Sequence, residues 1–283
     1  MRTGIFLFLI TVTILITASC NKNESEPEKG IIEIHFTHSV DGKPVQFDQL
    51  IYTNTAGNQF MITDIKYFIS RLIFINEEGK SVVITQDEGI HYVDCDLGKT
   101  LRWKIGTMPD GNYTAISFVF GLDEEDNISN RFVNPPESNF SWPNYMGGGY
   151  HYMQINGRFL NKEGKITNMN IHTGIGQIYN GNNEVTEFVQ NFFTVNLPVK
   201  FSINEDNTTI LTIDMEILRW FDTPNVYNFD EYGTAIMQNQ HAQQMLKENG
   251  GNVFVEIMKY EVRSKKYEEY LPRWRGTKGV NKK

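Results

Sequence analysis

Cysteine is scarce in this 283-residue chain: Cys20 and Cys95 are the two. No Cys-x-x-Cys-His sequence is present, so the chain encodes no c-type haem attachment of its own. The histidines, six in all, include no pair at zinc-finger or helical metalloprotease spacing, which leaves a structural zinc site of known pattern unsupported. A Gly-x-Ser-x-Gly elbow and a Walker A loop are also missing. Basic residues number 26 against 34 acidic ones. Nucleic acid is therefore excluded as a partner, because neutralising phosphates takes clustered Lys and Arg. Internal repeats and heptads are absent, and the longest apolar run, Ile5 to Ile16, is too short to remain as a membrane-spanning helix.

That run follows Arg2, a positive n-region, and residues 1–19 read as a secretory signal peptide. It ends at Thr17-Ala18-Ser19-Cys20, which resembles the lipobox of bacterial lipoproteins, with Thr17 standing where a branched aliphatic is usual. The resemblance implies cleavage before Cys20, acylation of Cys20 and a lipid anchor in the cell envelope, at the outer membrane. Losing Arg2 takes the formal charge from −8 to −9. Residues 20–30 have no apolar periodicity and read as a flexible tether. This acidic stretch is similar to signals that place some lipoproteins on the cell exterior. With Cys20 lipidated, Cys95 has no disulfide partner. In the alternating run Val93-Asp94-Cys95-Asp96-Leu97 it reads as a buried thiol, with both carboxylates on the opposite face.

Hydrophobic residues make up 40% and aromatics 13% of the chain, enough for one sizeable core. Alternation or β-branched and aromatic enrichment marks strands at 31–36, 51–60, 61–75, 82–85, 91–97, 101–105, 113–122, 166–172, 188–197, 200–203, 208–215 and 253–260. Residues 123–137 form a long acidic, proline-bearing connection of the kind that tends to carry function. One late helix is expected over 239–249, with Ala242, Met245 and Leu246 on one face and Gly250-Gly251 as its stop. The fold class is all-β: an antiparallel β-sandwich over residues 31–262, with long loops, one short late α-helix and a basic tail at 263–283.

The stretch from Trp142 to Phe159 joins a proline-bent aromatic approach to Gly147-Gly148-Gly149 and a strand expected to carry His151 and Met153 on one face. Two readings stay open. The glycines form a bulge beside core aromatics, or they let the backbone approach a ligand. His38, His151, His172 and His241 each lie near the edge of an expected element, where a fold can converge them, and imidazole with thioether (Met146, Met153, Met237) is a donor set that suits copper. A different reading makes Trp142, Tyr145, Tyr150 and Tyr152, with Met153 beside them, a stacking surface for a glycan or peptide. Asp123, Glu124 and Asp126 read as solvated loop acids rather than a catalytic pair.

Phe36-Thr37-His38-Ser39-Val40-Asp41-Gly42-Lys43-Pro44-Val45, Tyr52 to Asn58, Tyr67-Phe68-Ile69-Ser70, Trp142-Pro143, Gly147 to Gln154, Gly157-Arg158-Phe159 and His172-Thr173-Gly174 together resemble the MbnP-like family, relatives of methanobactin-associated copper-binding proteins. The resemblance runs from about Ile31 to Tyr260. It implies a β-rich, non-catalytic domain that binds copper through histidines, with His38, His151 and His172 at matching positions; His241 rests on its chemistry alone. In some members it also implies a tryptophan oxidised to kynurenine by a dihaem peroxidase-like partner. Trp142 is the tryptophan in the corresponding region, in a Trp-Pro context rather than beside a second tryptophan.

Overall fold

The computed structural model describes residues 29–205 and 207–262, with side chains described through Phe254. The signal peptide, Cys20, the tether up to residue 28 and the basic tail lie outside the described residues. In chain order the strands are β1 (Lys29–Val40), β2 (Lys43–Pro44), β3 (Tyr52–Thr53), β4 (Gln59–Asn76), β5 (Ser81–Val83), β6 (Ile90–Asp94), β7 (Arg102–Pro109), β8 (Gly111–Phe120), β9 (Met153–Leu160), β10 (Ile166–Thr173), β11 (Gly176–Tyr179), β12 (Val185–Val189), β13 (Phe193–Ile203), β14 (Thr208–Glu216) and β15 (Phe254–Val262). The helices are α1 (Phe229–Tyr232) and α2 (Gln240–Gly250), the second capped by the Asn239 side chain on the Ala242 amide. Among the described residues no helix is long and apolar enough to cross a membrane.

Two sheets face each other. The smaller runs β15-β14-β1-β2, with β7 on β1; the larger runs β10-β9-β4-β8-β13, with β3, β5 and β6 also on β4. Pairing is antiparallel except between β1 and β14, which run parallel from Ile31 opposite Thr208 to Ser39 opposite Glu216. The β-sandwich expected from the alternation is therefore present, with that one parallel contact between strands far apart in sequence. The expected strand 188–197 divides at Gln190–Phe192 between β12 and β13, and β13 continues through 203 as a single strand.

Strand alternation assigns each residue of the large sheet to a face. Ile65, Tyr67 and Ile69 of β4, Met153 and Ile155 of β9, and Met169 and Ile171 of β10 join the core between the sheets. Cys95 belongs to that core and is 2% exposed; the thiol is buried as expected, but in the turn after β6, which ends at Asp94, and Asp94 is itself buried rather than on an outward face. Burial pushes the Cys95 thiol pKa well up, so it is unreactive. Residues between these positions point to the other face. There Phe68, Ile90 and Tyr92 meet Leu122, Phe140, Trp142 and Tyr150 in a second apolar cluster.

The covering segment is the long connection after β8. At Phe68 the neighbour of β4 changes: its amide donates to Tyr152 O (3.0 Å), and its carbonyl accepts from the Gly121 amide (2.9 Å). Just beyond, the β4–β8 register shifts between Ser70 and Ile73, and Arg71 sits there at φ 55°. A non-glycine residue in that region costs about 1–3 kcal/mol. Its guanidinium is then aimed at the connection, where Nε lies 2.9 Å from both Asp123 Oδ2 and Asp126 Oδ2. Arg131 holds Asp126 from within the connection at 2.9 Å. Asp123 and Asp126 are thus anchors of the cover, not the solvated loop acids expected, whereas Glu124 is exposed as expected.

Gly157 of β9 is the tightest point of the large sheet. A Cβ there would lie 1.9 Å from Met61 O and 3.0 Å from Met169 Cε. Backbone cannot yield that distance without moving β4. Gly157→Ala is expected to lower stability by about 1–3 kcal/mol, the usual cost of forced overpacking, read in urea as a lower midpoint at unchanged m-value.

Candidate metal centre

The Gly-rich stretch is built differently from its expected form. β9 begins at Met153, so His151 and Tyr152 precede the strand, and Tyr150 makes only an isolated bridge to Ser141. Met153 turns into the core between the sheets while His151 packs with Trp142 on the opposite side. They do not share a face. Gly147, Gly148 and Gly149 have φ of 112°, 71° and 77°, conformations that favour glycine. What approaches their backbone is the same chain: a Cβ at Gly149 would lie 2.2 Å from Asn127 Oδ1, and one at Gly148 2.6 Å from Ser129 Oγ. Those two side chains bond the stretch directly, Asn127 Oδ1 accepting from the Tyr150 amide (2.8 Å) and Ser129 Oγ from the Gly149 amide (2.7 Å).

This folding brings His151 to His172, which β10 presents on the outer face of the large sheet. Their ring centroids are 5.3 Å apart at 81°. Trp142 stands edge-on to His151 at 4.7 Å. The Trp142 ring in turn lies against Gly174, where a Cβ would meet it at 2.7 Å, which is why glycine follows His172-Thr173. Gly174 is fixed by Gln243 of α2, whose Oε1 accepts from its amide (3.0 Å), and by Asn191, whose Nδ2 donates to its carbonyl (2.9 Å).

Each imidazole has one nitrogen committed to an oxygen acceptor. His151 Nδ1 is 3.0 Å from Phe140 O, which also accepts from the His151 amide at 2.9 Å. His172 Nε2 is 2.8 Å from Asn156 Oδ1. An oxygen acceptor places the proton on the facing nitrogen, so His151 carries its lone pair on Nε2 and His172 on Nδ1. Burial depresses both rings from the ordinary histidine pKa. His151 falls to about 4, desolvation outweighing the carbonyls of Phe140 and Ser141; His172 falls to about 3, with repulsion from His151 and Lys66 added to desolvation. Both are neutral near pH 7.

The other two candidates are elsewhere. His38, on β1, packs edge-on against Tyr67 at 5.7 Å inside the sandwich, so the large sheet separates it from the pair. Its Nε2 and the Tyr67 hydroxyl are buried without hydrogen-bond partners, and burial lowers its pKa to about 4. His241 is exposed on α2, against Tyr232 at 5.8 Å. Helix α2 serves the site through Gln243 instead. The proposed stacking surface is interior: Trp142, Tyr150, Tyr152 and Met153 are at most 2% exposed, and of these aromatics only Tyr145, at 69%, is open to solvent. Asn156 went unnoticed in the sequence. Its signal is its place two residues after Gln154, the direct neighbour of His172 across the β9–β10 ladder, which makes it a diagonal neighbour on the same face.

Among the described residues no group of three or more His, Cys, Asp or Glu converges as a metal cluster. Two neutral imidazoles, each with its N–H held by a carbonyl oxygen and a lone pair on the remaining nitrogen, fit a soft or borderline ion such as copper. They do not amount to a four-ligand zinc site.

A family model described as MbnP matches residues 29–240, three quarters of the chain. Among solved structures, the chain is similar to "MbnP from Methylosinus trichosporium", at 16% identity and a TM-score of 0.47, over 70% of this chain and 80% of that chain. Among curated proteins none matches.

In the metal-free protein the ring carbons of His151 and His172 are expected to keep constant NMR shifts from pH 8 to 5; a titration near pH 6.5 in either ring overturns the assignment of neutral tautomers. The unfolded chain protonates these histidines near 6.5 while the folded one does not, so it binds more protons just below that pH. Their contribution to stability is complete above 6.5 and is lost as pH falls towards 3–4.

Proposed function

This chain belongs to the MbnP family, and from that membership we propose that it is a non-catalytic copper-binding protein of the cell envelope, tethered through a lipid on Cys20, with His151 and His172 as its protein ligands. The observation that carries the reading is the pairing of the two rings, 5.3 Å between centroids, with their N–H groups directed to Phe140 O and Asn156 Oδ1. Ligating histidines usually hand their second ring nitrogen to a carbonyl or carboxylate, which fixes the tautomer and the ring plane. Copper bound there would gain two imidazole donors in a largely dry site, with further coordination positions left for other donors or exchange.

The rest of the site holds the two rings in place. Phe140 O takes both the amide and the ring of His151, so the rotamer of that ring is set by backbone. Trp142 closes one side and is itself held by its indole N–H to Met146 O (3.1 Å) and by the flat back of Gly174. Neutrality of both rings near pH 7 means that no proton has to be displaced for a lone pair to bind. Met146 lies in the same cluster as Trp142, and Met237 packs against it, so two thioethers of the expected donor set are in this region, whereas Met153 is on the opposite face.

Calorimetric titration of Cu(I) and Cu(II) into the purified chain tests this. One equivalent is expected to bind. His151→Ala and His172→Ala should each abolish it, and Asn156→Ala should weaken it by about 10–100-fold, the usual effect of removing an outer-shell partner. His241→Ala should leave it unchanged. No uptake, or uptake indifferent to His151 and His172, overturns the proposal.

A further inference from the structure

We propose a second site, separate from the histidine pair: the cavity between the β6 edge of the large sheet and the covering connection binds a small aromatic zwitterion of the free amino acid class. The cavity measures about 290 Å³, at the small end of ligand pockets. It suits one ring system with a short polar arm, and an oligosaccharide is too large for it. Phe68 and Tyr92 from the sheet and Phe132 from the connection form its apolar wall. Their rings are close-set, Phe68–Phe132 at 5.4 Å and 15°, Phe68–Tyr92 at 5.3 Å. Phe68 and Tyr92, at 0% and 5% exposure, lie at the back of this wall, so Phe132, the half-buried ring, is the one a flat ligand would meet by offset or edge contact.

The rim supplies the polar recognition. Asp87, Lys99 and Glu137 line the same cavity and come from three separate segments. Among the described residues none of the three side chains is in an ion pair. Neighbouring Glu88, by contrast, is held by Arg131 at 2.5 Å. That pair ties the turn before β6 to the covering connection, so the two walls of the cavity are braced while the three rim charges stay uncommitted. Two carboxylates with one ammonium call for a ligand that brings an ammonium and a carboxylate together. An aromatic amine lacks a partner for Lys99; an aromatic acid lacks one for Asp87 and Glu137.

The turn itself is held in an uncommon conformation. Asp87 and Glu88 have φ of 50° and 58°, and Gly89 follows at 73°. Consecutive left-handed residues that are not glycine carry strain of the kind that gathers at ligand clamps. Here the strain keeps Asp87 at the rim and Glu88 on Arg131.

The test is calorimetry on the metal-free full chain with three probes: L-tryptophan, tryptamine, which lacks the carboxylate, and indole-3-propionate, which lacks the ammonium. L-Tryptophan is expected to bind saturably at one per chain and the other two more weakly. Lys99→Met should weaken L-tryptophan at least about tenfold, the worth of one charge-assisted hydrogen bond, and leave tryptamine unchanged. Phe132→Ala should weaken all three. Because Phe132→Ala also disturbs the covering connection, the Lys99→Met comparison decides. Failure of all three probes to saturate overturns the site, and equal loss or no loss of both amines on Lys99→Met overturns the zwitterion assignment.

Discussion

A sheet that is apolar on both faces must be covered on both, and in this protein the second covering determines the rest. The inner face of the large sheet meets the smaller sheet, as any sandwich requires. The outer face carries Phe68 and Tyr92 at its centre, buried to 0% and 5% exposure. Leaving a phenylalanine ring of this size in water would forgo about 1.5–3 kcal/mol. Most of its cover is irregular chain between β8 and β9, joined by Ile175, just before the two-stranded β11–β12 sheet, and by Phe192 and Met237.

Irregular backbone laid over an apolar face has to satisfy its own amides and carbonyls. That requirement accounts for the composition of the connection. Asn127 and Ser129 stand in for strand neighbours by accepting from Tyr150 and Gly149. Three successive left-handed glycines let the backbone come close enough for those bonds. Arg71, in its left-handed bulge, gathers Asp123, Glu125 and Asp126. The histidine pair results from the same arrangement. His172 is on the sheet, His151 is on the cover, and they meet because the cover is fastened down between them.

The periodic elements were readable from sequence. β1, β4, β8, β10 and β14 follow from alternation or β-branched enrichment, and α2 from the spacing of Ala242, Met245 and Leu246; Cys95 is buried as expected, but in the turn after β6 and not in a strand. The parallel contact of β1 with β14 was not readable, because alternation reports which face a residue takes and says nothing of direction or neighbour. Nor was the location of His151 ahead of its strand. Gly147 to Gly149 announce left-handed backbone, but only the fold shows that the approaching group is Asn127 and not a ligand. His38 and His172 look equivalent as histidines near strand ends. One-residue phase in β1 and β10, relative to a sheet whose order the sequence does not reveal, sends one inside the sandwich and the other outside.

The same logic separates the roles of four histidines, His38, His91, His151 and His172, by what their ring nitrogens touch. His38 has an Nε2 with no partner, next to a Tyr67 hydroxyl also without one; its low pKa reflects burial alone. His91 lies between Phe36 and Trp103, stacked at 5.3 Å and 4.9 Å, with Nε2 2.8 Å from Thr100 O. It works as a flat core ring whose single polar contact closes the turn after β6. His151 and His172 differ from both, since each has one nitrogen pinned and each has the other as its neighbour. A depressed pKa is common to all four, so it cannot distinguish a ligand from a core residue. A ring nitrogen on a carbonyl oxygen does not distinguish them either, since His91 has one on Thr100 O; the distinction rests on the pairing of His151 with His172, 5.3 Å apart on the outer face of the sheet, with Phe140 O and Asn156 Oδ1 orienting the two neutral rings.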